Sequence, residues 1–122
     1  MATVLLVEDN PANMKLAKFL LESAHHRVLS ATDAEAGLTL ARTARPDLIL
    51  MDIQLPGMDG LQAIALLKSD ATTRDIPVIA LTALAMKGDE ERIRAAGYDG
   101  YIAKPIQYRD FLATIAAQLG GA

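Results

Sequence analysis

The sequence predicts a doubly wound α/β fold in which a five-stranded parallel sheet lies between two layers of helices. Short apolar runs recur along the 122-residue chain and alternate with longer amphipathic segments. Apolar runs of about four residues are typical of strands buried on both faces of a parallel sheet. Strand–helix units in succession require right-handed crossovers, with helices on both faces of the sheet. Of the open doubly wound strand orders, 2-1-3-4-5 suits a five-stranded chain best.

The first two strand–helix units are predicted from their helix start signals. The strands are residues 3–8 and 28–31, and the helices that follow extend to about residues 24 and 44. Asn10 before Pro11 predicts an N-cap followed by the first helical residue. Thr32, with Glu35 three residues later, matches a capping box and predicts Thr32 as the start of the second helix.

The last three units are bounded by proline and glycine. Their strands are residues 47–51, 78–81 and 98–103, and their helices are residues 60–68, 87–96 and 108–119. Pro56-Gly57 marks a loop, and Gly97 ends the fourth helix, a weak and highly charged segment. Tyr98 and Tyr108, on either side of the last strand, are expected to pack against the core.

Length and composition indicate one globular domain over residues 1–122, with no repeat or linker. Apolar residues make up 52% and charged residues 22% of the chain. No apolar run approaches the roughly 20 residues that span a bilayer. The absence of cysteine excludes disulfides and thiolate chemistry, and a net charge of −3 without a basic stripe disfavours nucleic-acid binding. We therefore expect a cytoplasmic protein that binds neither nucleic acid nor membrane.

Polar residues occupy the carboxyl ends of four predicted strands. They are Glu8 at the end of the first strand and Asp9 directly after it, Asp52 after the third, Thr82 at the end of the fourth and Lys104 after the fifth. Open α/β sheets build their ligand sites at these ends. In the predicted order the first and third strands are neighbours, so the three carboxylates should converge, with Thr82 and Lys104 lining the other side.

This set of residues favours a hard divalent cation together with a phosphoryl group. Two carboxylates about 4 Å apart repel by about 4 kcal/mol at an effective dielectric near 20, and a cation removes that repulsion. Mg²⁺, or Mn²⁺ in its place, suits Asp9 and Asp52 as direct ligands, with Glu8 acting through water. An aspartate is ionised at neutral pH and can attack phosphorus without a general base. Lys104 and Thr82 can pair with the phosphoryl oxygens.

Four motifs resemble the signature of the two-component response regulator receiver domain. They are Val7-Glu8-Asp9-Asn10, the segment from Leu50 to Gly60, Leu81-Thr82-Ala83 and Ala103-Lys104-Pro105. The resemblance covers nearly the whole chain, and the motifs fall in the right order on the right elements. It implies a CheY-like (βα)5 fold of the flavodoxin-like type, in agreement with the pattern of strands and helices.

The resemblance also implies a role for each residue of the site. Asp52 would be the phosphoacceptor, and Lys104 the phosphoryl partner, followed by a cis peptide to Pro105. Mg²⁺ would be held by Asp9, Asp52 and the backbone carbonyl of Gln54, with Glu8 assisting through water.

In this family the phosphoryl group acts through a switch, which Thr82 and Tyr101 would carry here. The Thr82 hydroxyl would move toward the phosphoryl group, and the Tyr101 ring would follow from an exposed to a buried position. This would reshape the face formed by the fourth helix, fifth strand and fifth helix, where a downstream protein binds. The expected phosphoryl donor is a histidine kinase or a histidine phosphotransfer protein, and the expected state is a monomer or a phosphorylation-dependent dimer.

Within the family, the segment from Ala83 to Arg92 is similar to DivK-type single-domain response regulators and to receivers fused to hybrid histidine kinases. A start at Met1 and an end soon after the last helix favour the single-domain form. Such a protein would catalyse only its own aspartyl phosphorylation and dephosphorylation. Because Leu84 cannot orient a hydrolytic water opposite Gln54, we expect a long-lived phospho-form.

Two alternatives from other classes fit less well. A Mg²⁺-dependent phosphohydrolase of the haloacid dehalogenase type also uses an aspartate nucleophile, but it needs a second aspartate where Gln54 stands and usually a cap insertion. A flavodoxin-like cofactor-binding protein shares the strand order. Its first strand should lead into a phosphate-binding loop, whereas Glu8 and Asp9 would repel phosphate without a metal.

Overall fold

The computed structural model describes residues 2–55, 57–58, 60–83 and 87–119, the side chains of residues 87–89 excepted. Its parallel strands form one five-stranded sheet in the order β2-β1-β3-β4-β5. The strands are β1 (Thr3–Val7), β2 (Arg27–Ala31), β3 (Leu48–Asp52), β4 (Val78–Thr82) and β5 (Gly100–Ala103). The helices are α1 (Pro11–Ser23), α2 (Ala34–Ala44), α3 (Gly60–Ser69), α4 (Lys87–Ala96) and α5 (Tyr108–Gln118). The predicted fold class and strand order are confirmed.

Alternate residues of the strands supply two separate hydrophobic layers. In β1, Leu5 and Val7 join the layer that also holds apolar residues of α2, α3 and α4. Val4 and Leu6 face the opposite layer, which holds residues of α1 and α5. The period of two along a strand therefore places α1 and α5 on one face of the sheet and the other helices on the second face.

The first helix begins as the sequence predicts, whereas the second does not. The Asn10 side chain accepts hydrogen bonds from the amides of Ala12, at 2.9 Å, and Asn13, at 3.1 Å. The prediction that Thr32 caps α2 is wrong, since Asp33 is the cap and its Oδ1 accepts from the Ala36 amide at 2.8 Å. Aspartate is as good an N-cap as threonine or better, and with Asp33 as cap the sequence spacing no longer matches a capping box.

The loop between β3 and α3 depends on two glycines. Gly57 has φ of +78°, a conformation that side chains disfavour. A Cβ on Gly60 would lie 2.4 Å from the Ile53 Cα, so only glycine allows the start of α3 to approach the end of β3. The Gly60 amide donates to the Ile53 carbonyl at 3.1 Å across this approach. Pro56, part of the predicted loop signal, lies outside the described residues.

The two tyrosines expected to pack against the core behave differently. Tyr98 is 3% exposed, and its hydroxyl donates to the Gly60 carbonyl at 2.7 Å. Tyr108 is 60% exposed, so the packing prediction for it is wrong. Tyr108 is the first residue of α5. The residues through which this helix is buried, Phe111 and Ile115, come later in the helix. None of the described helices has the length and apolar character needed to cross a membrane.

Candidate functional site

Three carboxylates meet at the carboxyl edge of the sheet, as the strand order predicts. Glu8 and Asp9 follow β1, and Asp52 ends β3, the strand paired directly with β1. One carboxylate oxygen from each of the three lies within 4.8 Å of the others. Glu8 is 1% and Asp52 3% exposed, whereas Asp9 is open to solvent. The cluster is therefore buried at its base and accessible from one side.

Lys104 brings a positive charge to this cluster from the far side of the sheet. Its Nζ lies 2.9 Å from Asp52 Oδ2 and 2.8 Å from Glu8 Oε1. The lysine follows β5, and its amide donates to the Thr82 carbonyl at 2.7 Å, which continues the pairing of β5 with β4 past the strand end. The peptide bond between Lys104 and Pro105 is cis. Residues 52 positions apart in the chain are thus joined by an ion pair.

Backbone amides orient the two buried carboxylates. The Gln54 amide donates to Asp52 Oδ1 at 2.8 Å, and the Asn10 amide donates to Glu8 Oε2 at 3.2 Å. Each carboxylate therefore has one oxygen held by the backbone and the other turned toward Lys104. Fixed dipoles of this kind hold a reacting group in position without reorganisation.

The environment moves the pKa values of the two buried carboxyl groups in opposite directions. Burial, reinforced by the adjacent Asp52, raises the pKa of Glu8 above its ordinary value despite the opposing effects of the nearby Lys104 ammonium group and the hydrogen bond from the Asn10 amide. Burial alone would also raise the pKa of Asp52, but hydrogen bonds with Glu8, the Gln54 amide and Lys104 outweigh it and leave that pKa below its ordinary value. Asp52 is therefore the carboxylate that this site keeps ionised.

The pKa of Lys104 is also displaced. Burial acts to lower it, but the adjacent carboxylates of Glu8 and Asp52 raise it above its ordinary value. The lysine therefore remains a cation at any pH where the protein would work.

The donor set of this site fits a hard divalent cation. Three carboxylates face one ammonium group among the described residues, which leaves an excess of negative charge. Although Lys104 is close, Glu8 Oε1 is buried and has no hydrogen-bond partner of acceptable geometry. An orphaned carboxylate oxygen beside other oxygen ligands is a position that Mg²⁺, with its water shell, satisfies.

Two of the other predicted site residues, Thr82 and Tyr101, lie on β4 and β5. Thr82 is fully buried at the end of β4, where it pairs with Ala103. Tyr101 pairs with Ala80 in the same register and is half-buried. Gln54 is exposed beside Asp52. Leu84, on which the expected lifetime of the phospho-form depends, lies outside the described residues.

The structure adds one residue, Glu90, that the sequence did not indicate as part of this region. The Tyr101 hydroxyl donates to Glu90 Oε2 on α4 at 3.4 Å. Glu90 lies in a helix whose first eight residues are mostly charged, and nothing in its spacing from Tyr101 indicates a contact. The only available signal was Arg94 four residues later, which predicts an ion pair along the helix.

A five-stranded doubly wound sheet with an acidic cluster and a lysine at its carboxyl edge defines the class of receiver domains in two-component signalling. The chain belongs to the response regulator receiver domain family, which it matches over residues 4–116. This family match favours the receiver interpretation over the phosphohydrolase and flavodoxin-like alternatives.

More particularly, the chain is similar to DivK-type regulators. It is 52% identical over 120 residues to the polar-differentiation response regulator DivK of Brucella anthropi, with 98% of each chain covered. Among solved structures it resembles the receiver domain of the Pseudomonas aeruginosa sensor histidine kinase PA1611, which has a magnesium ion coordinated in its active-site cleft. The TM-score to that domain is 0.90 at 36% identity, with 98% of each chain covered. The chemotaxis response regulator CheY4 of Vibrio cholerae gives a TM-score of 0.91 at 26% identity, over 97% of this chain and 98% of CheY4.

Proposed function

We propose that the protein works as a response regulator whose phosphoacceptor is Asp52. The observation that carries this proposal is the ion pair between Asp52 Oδ2 and Lys104 Nζ at 2.9 Å, at the edge where the acidic cluster opens to solvent. The carboxylate is ionised, oriented by a backbone amide and adjacent to a cation that can pair with an incoming phosphoryl oxygen.

The reaction on Asp52 is a phosphoryl transfer that this arrangement supports. An Asp52 carboxylate oxygen forms a bond to phosphorus, while the bond from phosphorus to the donor nitrogen of a phosphohistidine, or to the donor oxygen of acetyl phosphate, breaks. The leaving group keeps the electron pair of that bond. Because the pKa of Asp52 is below its ordinary value, no general base is needed. Catalysis then consists of positioning and charge neutralisation.

The proposed cation is Mg²⁺, with Mn²⁺ as the alternative. Asp9, Asp52 and the backbone carbonyl of Gln54 would hold it directly, and Glu8 would act through water. When bound, it neutralises charge on the phosphoryl oxygens and on the carboxylates around them. Lys104 and the Thr82 hydroxyl would then hold the phosphoryl group on Asp52 from the opposite side.

The output is a change in a protein-binding surface. Thr82 ends β4 and Tyr101 lies on the neighbouring β5, so a displacement of the Thr82 side chain can be passed to Tyr101 and to the face formed by α4, β5 and α5. A histidine kinase or histidine phosphotransfer protein would supply the phosphoryl group, and a downstream protein would bind the altered face. In this proposal the protein is cytoplasmic, turns over no external substrate, and is a monomer or a phosphorylation-dependent dimer.

The single-domain form is the favoured version of this proposal. The match to DivK extends over 98% of that protein at 52% identity, compared with 36% identity to the receiver of the sensor kinase PA1611. A receiver from a hybrid histidine kinase is the alternative. A phospho-form that survives for many minutes would agree with the expectation drawn from a leucine at position 84 of the sequence, whereas a half-life of seconds would contradict it.

The experiment that tests the acceptor is intact-protein mass spectrometry after incubation with acetyl phosphate and Mg²⁺. The wild type should gain one phosphoryl group, and prior chelation of the metal should prevent the gain. Asp52→Asn should gain none. Asp70→Asn is the matched control, because Asp70, a half-buried carboxylate paired with Arg42, follows α3 at the opposite end of the sheet from Asp52, so this variant should be phosphorylated like the wild type. A folded wild type that binds Mg²⁺ but takes no phosphoryl group would contradict the proposal.

A further inference from the structure

The contact between Tyr101 and Glu90 joins the edge strand to the fourth helix. The Tyr101 ring packs against the hydrophobic layer under α2, α3 and α4, while its hydroxyl reaches Glu90 Oε2 at 3.4 Å. Glu90 lies in the first half of α4 and Tyr101 is the second residue of β5. The hydrogen bond therefore fixes the ring at the boundary between the core and the helix.

The second oxygen of Glu90 extends this contact along the helix. Glu90 Oε1 lies 3.5 Å from Arg94 Nε, one turn later. Arg94 Nη1 in turn donates to the Asp99 carbonyl, just before β5, at 3.4 Å. Through these two side chains α4 is tied to the β5 segment at both Asp99 and Tyr101.

Few apolar side chains of α4 contact the core. Among the α4 side chains that the structure describes, Ile93 is buried and Ala96 partly buried. By contrast, α3 buries Gly60, Ala63, Ile64 and Leu67. Among the described side chains, the polar contacts of Glu90 and Arg94 therefore supplement a small apolar contact between α4 and the core.

We propose that Glu90 is a positioning residue of the Tyr101 switch. Its carboxylate holds the Tyr101 hydroxyl in the unphosphorylated protein, so the ring can turn inward only when this hydrogen bond opens. The proposal rests on the proposed function, in which phosphorylation of Asp52 moves Thr82 and Tyr101. Glu90 thereby sets how much of the unphosphorylated protein already has the ring inward.

The size of the effect follows from a two-state equilibrium. A ligand shifts such an equilibrium only by its difference in affinity for the two states, and a bond present in one state alone biases it in the same way. A partly exposed hydrogen bond to a carboxylate is worth about a three- to tenfold change in the ratio of states. Removing the acceptor should shift the ratio of inward to outward rings by that factor.

Three substitutions in α4 separate the acceptor from the charge. Glu90→Met removes the acceptor and keeps the length and helix propensity of the side chain. Glu90→Gln keeps a neutral acceptor oxygen. Glu91→Met removes an equal charge from the next residue, which is exposed, and serves as the control. Thermal unfolding should show that all three variants remain folded.

The readout is the Tyr101 ring resonance in protein with ¹³C-labelled tyrosine, assigned by its loss in Tyr101→Phe. Beryllofluoride with Mg²⁺, which mimics the phosphoryl group, should move this resonance in the wild type. Without beryllofluoride, Glu90→Met should move it part of the way in the same direction, Glu90→Gln less, and Glu91→Met not at all. Glu90→Met should also lower the beryllofluoride concentration at half-conversion by about three- to tenfold.

A double substitution distinguishes the switch from a general loosening of α4. In the Tyr101→Phe background, Glu90→Met should no longer change the beryllofluoride midpoint, because the hydroxyl that it would release is absent. An unmoved Tyr101 resonance in Glu90→Met, an equal movement in Glu91→Met, or a midpoint shift that persists without the hydroxyl would each overturn the role of Glu90. If the wild type binds no beryllofluoride, the proposed function itself fails, and Glu90 has no switch to position.

Discussion

The strand that ends in Asp52 and the strand that carries Tyr101 differ in how they are buried. Every residue of β3, which ends in Asp52, is buried, whereas residues of β5 alternate between buried and half-buried. β3 lies at the centre of the sheet between β1 and β4, and β5 lies at its edge. Asp52, the proposed acceptor, therefore ends a strand that is buried along its whole length, whereas Tyr101, the proposed responder, lies on an edge strand that is buried only at alternate residues.

The helices next to these strands show the same difference. α3 follows β3 and packs against the sheet through four buried residues, with Gly60 in close contact with Ile53. α4 precedes β5, and its mostly charged sequence offers Ile93 as its buried apolar residue among the described side chains. Local stability within a domain falls where buried apolar contacts are few, so the α4–β5 region is the one that can rearrange at low cost.

The largest expected difference between the two regions comes from matched isoleucine truncations. Ile49→Ala in β3 removes a side chain with no exposed surface and should lower the free energy of unfolding by about 4 kcal/mol. Ile102→Ala in β5 should cost about 2 kcal/mol, because the edge of the sheet can relax into part of the space. Urea unfolding of both variants measures these losses. Equal losses would show that β5 is packed as tightly as β3.

A truncation within α4 should act locally as well as on global stability. Ile93→Ala removes the buried anchor of α4 and should weaken its attachment to the core by about 2 kcal/mol. Amide hydrogen exchange in α4 should then accelerate by roughly 30-fold, whereas amides that exchange through openings that leave α4 in place should not accelerate. Ala63→Gly in α3 is the control, since it should not accelerate α4 selectively. A uniform acceleration in all elements would mean that α4 unfolds only with the whole domain.

In the metal-free protein, the buried acidic cluster beside β3 should lower the free energy of unfolding. The raised pKa of Glu8 means that the folded protein holds that proton to a higher pH than the unfolded chain does. Its effect on stability is favourable below the ordinary glutamate pKa and is lost as the pH rises through the folded value. Glu8→Gln should therefore stabilise the metal-free protein at neutral pH by about 1 kcal/mol.

The same substitution should weaken Mg²⁺ binding, because it removes a carboxylate from the site. Thermal unfolding with a chelator at several pH values, together with a Mg²⁺ titration, measures both effects. Lys15→Met, a change on the exposed side of α1, serves as the control. A loss of stability at neutral pH in Glu8→Gln would show that the Lys104 ion pair outweighs the repulsion between Glu8 and Asp52.

The smallest expected effect lies outside both regions. Arg45, after α2, has φ of +44°, a left-handed conformation that glycine adopts without strain. Arg45→Gly should raise the free energy of unfolding by about 0.5 kcal/mol, the relief of backbone strain being partly offset by the greater freedom of the unfolded chain. It should change neither phosphorylation nor the Tyr101 resonance. A destabilised Arg45→Gly variant would indicate that the arginine side chain makes a contact that matters more than its backbone conformation.

Much of the site could be predicted because the charges follow strands directly. Once the strand order is known, Glu8, Asp9 and Asp52 must share one edge, since parallel strands end on the same side. The cap of α2 could not be decided in the same way. Thr32 and Asp33 are both good caps, and which one ends the turn depends on how the chain leaves β2.

The sequence by itself determined the types and order of the elements, because periods of two and of 3.6 residues record which side chains face a core. The tertiary structure alone decided which distant side chains touch. The 2.9 Å contact of Lys104 with Asp52 and the orphaned oxygen of Glu8 depend on how β1, β3 and β5 are placed in one sheet, and the contact of Tyr101 with Glu90 depends on how α4 packs beside β5. Periodicity indicates the direction in which each side chain points. A contact also requires a short distance between two side chains. For residues far apart in the chain, that distance is set only when the whole sheet and its helices are packed together.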